Sequence, residues 1–236
     1  MKLCYLMALL LLSQLLFAQT NEVIPYEAHA FAQPISGITI DGDMSDWPEE
    51  FMAYPIKSKM WGDDLASPED LTAKFHVGYS KEDNTILLAI IIDDDYAKED
   101  ENPSWNNQDT YTFYVNEQYK INGSGVARYS LANNFKDATD PTDNWDPLLK
   151  EYIDWERLDY QIKTKDKRTI IELKYELKDP IYVGRTIGVG HMIIDEDSDG
   201  GTGLGWIGRG GKSSYSQPGR VGVVTFAGNG LRSGTL

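Results

Sequence analysis

The sequence predicts an all-β protein: an antiparallel β-sandwich, jelly-roll or immunoglobulin-like, of about nine strands with one short helical excursion. Three observations lead there. Short runs rich in β-branched and aromatic residues recur along the chain. These runs either alternate apolar with polar residues or stay apolar for one strand's length. Clusters of Gly, Asp, Asn and Pro separate them, as turns do.

Taken in order, "GITID" (37–41) is the first expected strand. "LTAKFHVGY" (71–79) alternates, with Leu71, Ala73, Phe75, Val77 and Tyr79 on one face and His76 on the solvent side. "NTILLAIIID" (84–93) is continuously apolar, the pattern of a strand covered on both faces. "DTYTFYV" (109–115) alternates around Tyr111, Phe113 and Val115. "GVARYSLA", "LDYQIKT", "TIIELKYEL", "TIGVGHMII" and "RVGVVTF" complete the set, the last ending at Phe226. The helical excursion is "PLLKEYIDWERL" (147–158).

The flanks read differently. Residues 1–18 carry one lysine, an apolar run from Leu3 to Leu12 and a small residue, Ala18, the features of a cleaved export signal. The protein is therefore expected to be secreted, to the periplasm or the extracellular space. Residues 19–36 have little periodicity and are expected to form a leader, 37–227 the sandwich, and 228–236 a Gly-rich tail that could link to further domains. Cys4 is the only cysteine and leaves with the signal, so the remaining chain has no disulfide or thiol chemistry.

Charge excludes some partners. With 22 basic and 37 acidic residues the net charge is −15, which repels nucleic acid and anionic membranes and suits neutral glycans and divalent cations. No segment after the signal is long and apolar enough to span a bilayer, so membrane insertion is not expected.

Acidic clusters are the most conspicuous chemistry. They are Asp41, Asp43 and Asp46 in "IDGDMSDW", Asp93, Asp94 and Asp95 closing an apolar strand, and Asp195, Asp197 and Asp199 in "DEDSDG". Calcium takes 6–8 oxygen ligands, so carboxylates converging at strand ends would suit it. "DEDSDG" matches the first half of an EF-hand loop, but the twelfth position, where a bidentate Glu is needed, is Trp206.

Two aromatics, Trp105 in "ENPSWNNQD" and Tyr215 in "GGKSSYSQPGR", sit in polar loops without apolar periodicity. An exposed flat ring is a platform for the C–H face of a sugar, and two facing rings form a slot. Trp47, Trp145, Trp155 and Trp206 read as structural plugs. His191 is in phase with Ile187, Val189 and Ile193 on an apolar face and reads as a core histidine. A sharper alternative makes it an axial haem ligand with a methionine such as Met60 opposite. Glu151, Asp154 and Glu156 in "EYIDWE" show no sign of a tuned catalytic pair, and no zinc spacing or nucleophile motif is present, so no enzyme activity is expected.

Several segments together resemble the family 9 carbohydrate-binding modules and their DOMON-like relatives. "ITIDGDMSDW" is similar to their Ile-Asp-Gly…Trp opening. "DLTAKFHVGYSKEDNTILLAIIIDDD" resembles their second and third strands, "NPSWNNQDTYTFYVN" their Pro-Trp-x-x-Asp segment with one extra residue, and "TIGVGHMIIDEDSDG", Trp206 and "GRVGVV" their closing strands. The likeness runs from Ile38 to Phe226. It implies a calcium-containing sandwich that binds an oligo- or polysaccharide without catalysis. It places Trp105 and Tyr215 on the family's ring clamp, and Asp94, Asp95 and Asp109 on structural strand-end positions. The family's strand acid falls on Thr112, and its Arg and Asn fall on Ser130 and Ala132. The DOMON relatives supply the alternative of a haem-binding redox domain. A third alternative is an interaction domain on the same fold that has lost its sugar site.

Overall fold

The computed structural model describes residues 28–67, 69–95, 108–119, 126–132, 137–139, 153–197, 200–206 and 221–229. Thirteen strands are found there: β1 (His29–Pro34), β2 (Tyr54–Pro55), β3 (Ser58–Gly62), β4 (Leu71–Ser80), β5 (Thr85–Asp94), β6 (Thr110–Asn116), β7 (Ala127–Ala132), β8 (Asp137–Thr139), β9 (Leu158–Lys165), β10 (Arg168–Glu176), β11 (Thr186–Asp197), β12 (Gly200–Trp206) and β13 (Gly222–Phe226). The all-β sandwich holds, with more strands than the periodicity alone gives.

One layer runs β8-β7-β6-β11-β13-β1, with β12 and β3 added at the far end of β11. The other runs β1-β4-β5-β10-β9, with β2 against β4. Strand β1 joins the layers. His29–Ala32 pair in parallel with β13, and Gln33–Pro34 pair in parallel with β4. This corrects the expected leader over 19–36: Ala30 and Ala32 are wholly buried between the layers, so the sandwich includes at least His29–Pro34. Such a short run carries too little alternation to be told from coil.

The remaining pairs are antiparallel, and the period of two places one side-chain set from each layer in the interior. Phe75 and Val77 on β4, Ile90 on β5 and Leu173 on β10 meet Tyr111 and Phe113 on β6. The apolar run of β5 has the predicted cover on both faces. Its outer residues Leu87 and Ala89 lie under Trp47 and Phe51, with Ile35, Ile38, Ile40 and Met44 packed alongside.

The segment expected as a first strand, Gly37–Asp41, is instead part of this covering loop. Gly37 and Gly42 have φ of 79° and 76°, in the left-handed region that breaks a ladder. Glu172, on the outer face of β10 and wholly buried, fastens the loop down. Its Oε2 accepts from the amides of Asp41, Gly42 and Asp43 at 2.9, 2.7 and 3.3 Å, and its Oε1 from the Trp47 indole at 2.7 Å. Three successive amides aimed at one oxygen form an anion-binding concavity. His76, expected to face solvent, is half-buried beneath Trp47, with ring centroids 6.4 Å apart. Burial, and then the charge of Lys74, hold its imidazole below the usual histidine range.

Two further differences are local. The helical excursion appears in the described residues as a single 3-10 turn, Trp155–Arg157, capped by Asp154; residues 147–152 lie outside them. The Gly-rich "GGTGLGW", absent from the expected strands, is strand β12, antiparallel to β11 from Asp197↔Gly200 to His191↔Trp206. No helix among the described residues is long and apolar enough to cross a membrane.

Candidate functional site

Three interior columns end on an aspartate at the same end of the sandwich. Ile90 and Ile92 lead to Asp94 along β5, His191 and Ile193 lead to Asp195 and Asp197 along β11, and Phe113 and Tyr111 lead back to Asp109 just before β6. Side chains two apart share a face, so each strand that supplies core also delivers a carboxylate where the core stops. Asp70, immediately before β4, joins them. The pairing of Leu71 with Asp94 puts Asp70 next to Asp95, whose amide donates to the Asp70 carbonyl at 3.1 Å.

The result is two carboxylate triads. Asp94, Asp109 and Asp195 offer oxygens within 4.8 Å of one another, and so do Asp70, Asp95 and Asp197. Asp109 is fully buried and Asp195 is 3% exposed. One Asp109 oxygen accepts from the Glu196 amide at 3.1 Å. Asp195 Oδ1 is buried and has no hydrogen-bond partner among the described residues. Burial, reinforced by the charges of Asp94, Asp197, Asp109 and Asp70, pushes the Asp195 carboxyl up to about 9. A buried carboxylate among like charges is costly without a counter-charge. All these donors are hard oxygens, the set that suits calcium rather than a softer metal.

Five of the six aspartates expected as metal ligands, Asp94, Asp95, Asp109, Asp195 and Asp197, thus fall in the two triads. Asp199 lies outside the described residues. Asp70 was not foreseen. Its signal is positional and needs the β4–β5 register. The acids of "IDGDMSDW" do not converge with other carboxylates. Asp41 accepts from the Asp43 amide, Asp43 caps the turn Met44–Asp46, and Asp46 accepts from the Thr39 amide, so they serve their own turn.

The outer face of the β6-containing layer holds the other candidates. Thr112 and Ser130 face each other across β6 and β7 and are wholly buried, their hydroxyls 2.9 Å apart. One row on, opposite Tyr114, stands Arg128. It is 4% exposed, and its guanidinium lies 5.9 Å from the Tyr114 ring centroid. Arg128 is two residues before the position at which an arginine was sought, and only the hairpin register shows that it shares the face of Thr112 and Ser130. Trp105 and Tyr215, the expected ring clamp, lie outside the described residues, as does Trp145. Trp47 and Trp206 are buried plugs as expected, and Trp155 stands edge-on to Tyr129.

His191 is fully buried in an aromatic cage of Phe75, Tyr111, Phe113 and Trp206. Its Nδ1 is 2.7 Å from the Tyr111 hydroxyl, and burial holds the imidazole down to about 3. Met60 does not approach it. Met60 lies over Gly205 on the outer face, with Tyr114 and Met192, whereas His191 faces the interior. The strands do not bring Met60 to His191.

With this geometry in view, the fold can be compared with solved structures. Two structures of a family 9 carbohydrate-binding module from Caldicellulosiruptor kristjanssonii, one with cellotriose and one with glucose, each superpose with a TM-score of 0.65. The fold is that of the family 9 carbohydrate-binding modules. Sequence identity is 16%; the alignments cover 86% of this chain and 95% and 97% of those chains. A Bacteroides uniformis structure aligns over 85% of this chain and 100% of its own, with a TM-score of 0.52 and 11% identity. No family model and no curated protein matches the sequence. The family 9 fold therefore persists here at an identity where sequence comparison carries little. What the two share is the arrangement of strands.

Proposed function

We propose that the protein is a secreted, non-catalytic carbohydrate-binding module that holds a sugar between Trp105 and Tyr215, with calcium bound at the strand-end aspartates. The observation that carries the reading is the likeness in fold, over nearly the whole of both chains, to a module solved with cellotriose and with glucose. Two features of this chain support it. The buried cation Arg128 shares a face with Thr112 and Ser130, and a planar guanidinium suits paired hydroxyl oxygens. The aspartate triads are the kind of site a structural calcium ion fills. Asp94, Asp109 and Asp195 would hold one ion, and Asp70, Asp95 and Asp197 could hold a second. Calcium there would supply the missing positive charge and tie the two layers together at one end.

The sugar reading is tested by screening the protein on a broad glycan array, then by affinity electrophoresis of the Trp105→Ala and Tyr215→Ala variants on a bound glycan. The expected result is loss of retention with unchanged thermal stability. Equal retention by both variants, or their unfolding, would refute the clamp. Export is checked by N-terminal sequencing of the secreted protein, with cleavage expected after Ala18.

A further inference from the structure

We propose that the indole of Trp61 is a second sugar-stacking position, which takes a further pyranose unit of a chain bound on the outer face of the β6-containing layer. This rests on the carbohydrate-binding reading and extends it from a single sugar to an oligosaccharide. Trp61 is the one exposed tryptophan among the described residues, at 38%. Its position is built by the backbone. Between β3 and β12 the register shifts, with Gly203 paired to Trp61 and Leu204 to Lys59, so Met60 is the extra residue of a β-bulge. Met60 and Trp61, neighbours in sequence, therefore both lie on the outer face, Met60 over Gly205 and Trp61 over Gly203.

The ring lies flat. A Cβ on Gly203 would meet Nε1, Cε2 and Cδ1 of the indole at 2.4, 2.7 and 2.8 Å, so the plane of the ring rests on bare backbone. No other residue at 203 would allow this. One face of the indole is seated on the sheet and the other is turned outward. Two residues along β12 the same pattern brings a carboxylate alongside: Glu196 pairs with Gly201 and lies against the place its Cβ would occupy. An outward ring face beside hydrogen-bond acceptors matches a pyranose, whose C–H face stacks while its hydroxyls donate.

The surroundings argue against a protein or membrane partner. Among the described residues the exposed apolar surface on this side is the Trp61 ring alone, with the carboxylate of Glu196 on the same face of β12. That is too small and too charged for a hydrophobic interface. It is on the same side of the layer as Arg128, Thr112 and Ser130. The row through Gly203 and Ile194 reaches Thr110 on β6, two residues before Thr112, which stands opposite Ser130. Two strand spacings separate β12 from β6, about 10 Å, a span that a short oligosaccharide covers and one pyranose does not.

The test is calorimetric titration of the full chain with glucose and with cello-oligosaccharides of two to six units. Wild type, Trp61→Ala, Trp61→Phe and Gly203→Ala are compared, and folding is checked by circular dichroism. The wild type is expected to bind longer chains more tightly than glucose. Trp61→Ala and Gly203→Ala should each cut that chain-length gain by roughly threefold to tenfold, the size of one aromatic contact, and Trp61→Phe should restore most of it. If wild type and Trp61→Ala show the same gain, the Trp61 position is overturned and the sugar reading stands. If the wild type binds neither glucose nor any of the oligosaccharides, the sugar reading falls, and the Trp61 position with it.

Discussion

Replacing Glu172 should detach the loop that covers one face of the sandwich, and its cost follows from the hydrogen bonds described. The carboxylate is fully buried and accepts three backbone amides on Oε2 and the Trp47 indole on Oε1. In Glu172→Gln the amide oxygen can keep the three backbone donors, but its NH2 group then faces the indole N–H, donor against donor. One charge-assisted bond is lost and the others weaken, a cost of about 2–3 kcal/mol. Glu172→Ala orphans all four donors and should cost roughly 3–5 kcal/mol, in the range for removing one partner of a buried charged network. At this chain length that corresponds to a fall in melting temperature of about 10 °C. Urea unfolding followed by tryptophan fluorescence measures it. A double-mutant cycle of Glu172→Gln with Trp47→Phe should give a coupling of about 1–2 kcal/mol, since only the indole bond joins those side chains. A cost below about 1 kcal/mol for Glu172→Ala, or additivity in the cycle, would refute the view that this carboxylate holds the loop.

Two further outcomes are expected. Calcium at a hundred times its dissociation constant should stabilise the protein by about 2.7 kcal/mol, and a chelator should reverse this. Asp195→Asn should abolish most of the calcium-dependent shift in a thermal melt, and an unchanged shift would locate the ion elsewhere. The second outcome concerns pH. His191 is held down to about 3 in the fold against 6.5 when free, so the unfolded chain binds the extra proton between those values. Its contribution is fully present above pH 6.5 and is lost as pH falls towards 3, with a slope of up to about 1.4 kcal/mol per pH unit. The groups packed against it are Phe75, Tyr111, Phe113 and Trp206, of which only Tyr111 titrates, and burial pushes that phenol well above its usual range. His191→Phe should therefore flatten the acid limb of a stability–pH curve. An identical limb would remove His191 as its source.

What was legible in the sequence, and what was not, divides along physical lines. The longer strands could be read because a half-buried strand must alternate and a doubly covered one must be apolar throughout. Val77 and Phe75 on β4 and the whole of β5 behaved as their pattern required. The strand-end aspartates were visible for the same reason, since a carboxylate directly after an apolar run marks where burial stops. Strands β1, β2, β3, β8 and β12 were not legible. Each is short, or is built from Ala, Gly and Pro that carry no period, and each exists because a neighbouring edge supplies hydrogen-bond partners. Nothing in the pattern of β10 marks Glu172, because its role depends on the loop folded over it.

By itself the sequence determined the fold class and the strand ends where negative charge collects. Periodicity, composition and net charge are properties of the chain as written. Only the tertiary structure decided that the aspartates divide into two triads, one of them completed by Asp70. It also decided that Arg128 rather than a later residue shares the face of Thr112 and Ser130, that His191 and Met60 lie on opposite sides of a sheet, and that Trp61 lies flat on a glycine. Each of these depends on strand register or on a bulge. A register shift of one residue turns a side chain to the other face while leaving the sequence pattern unchanged.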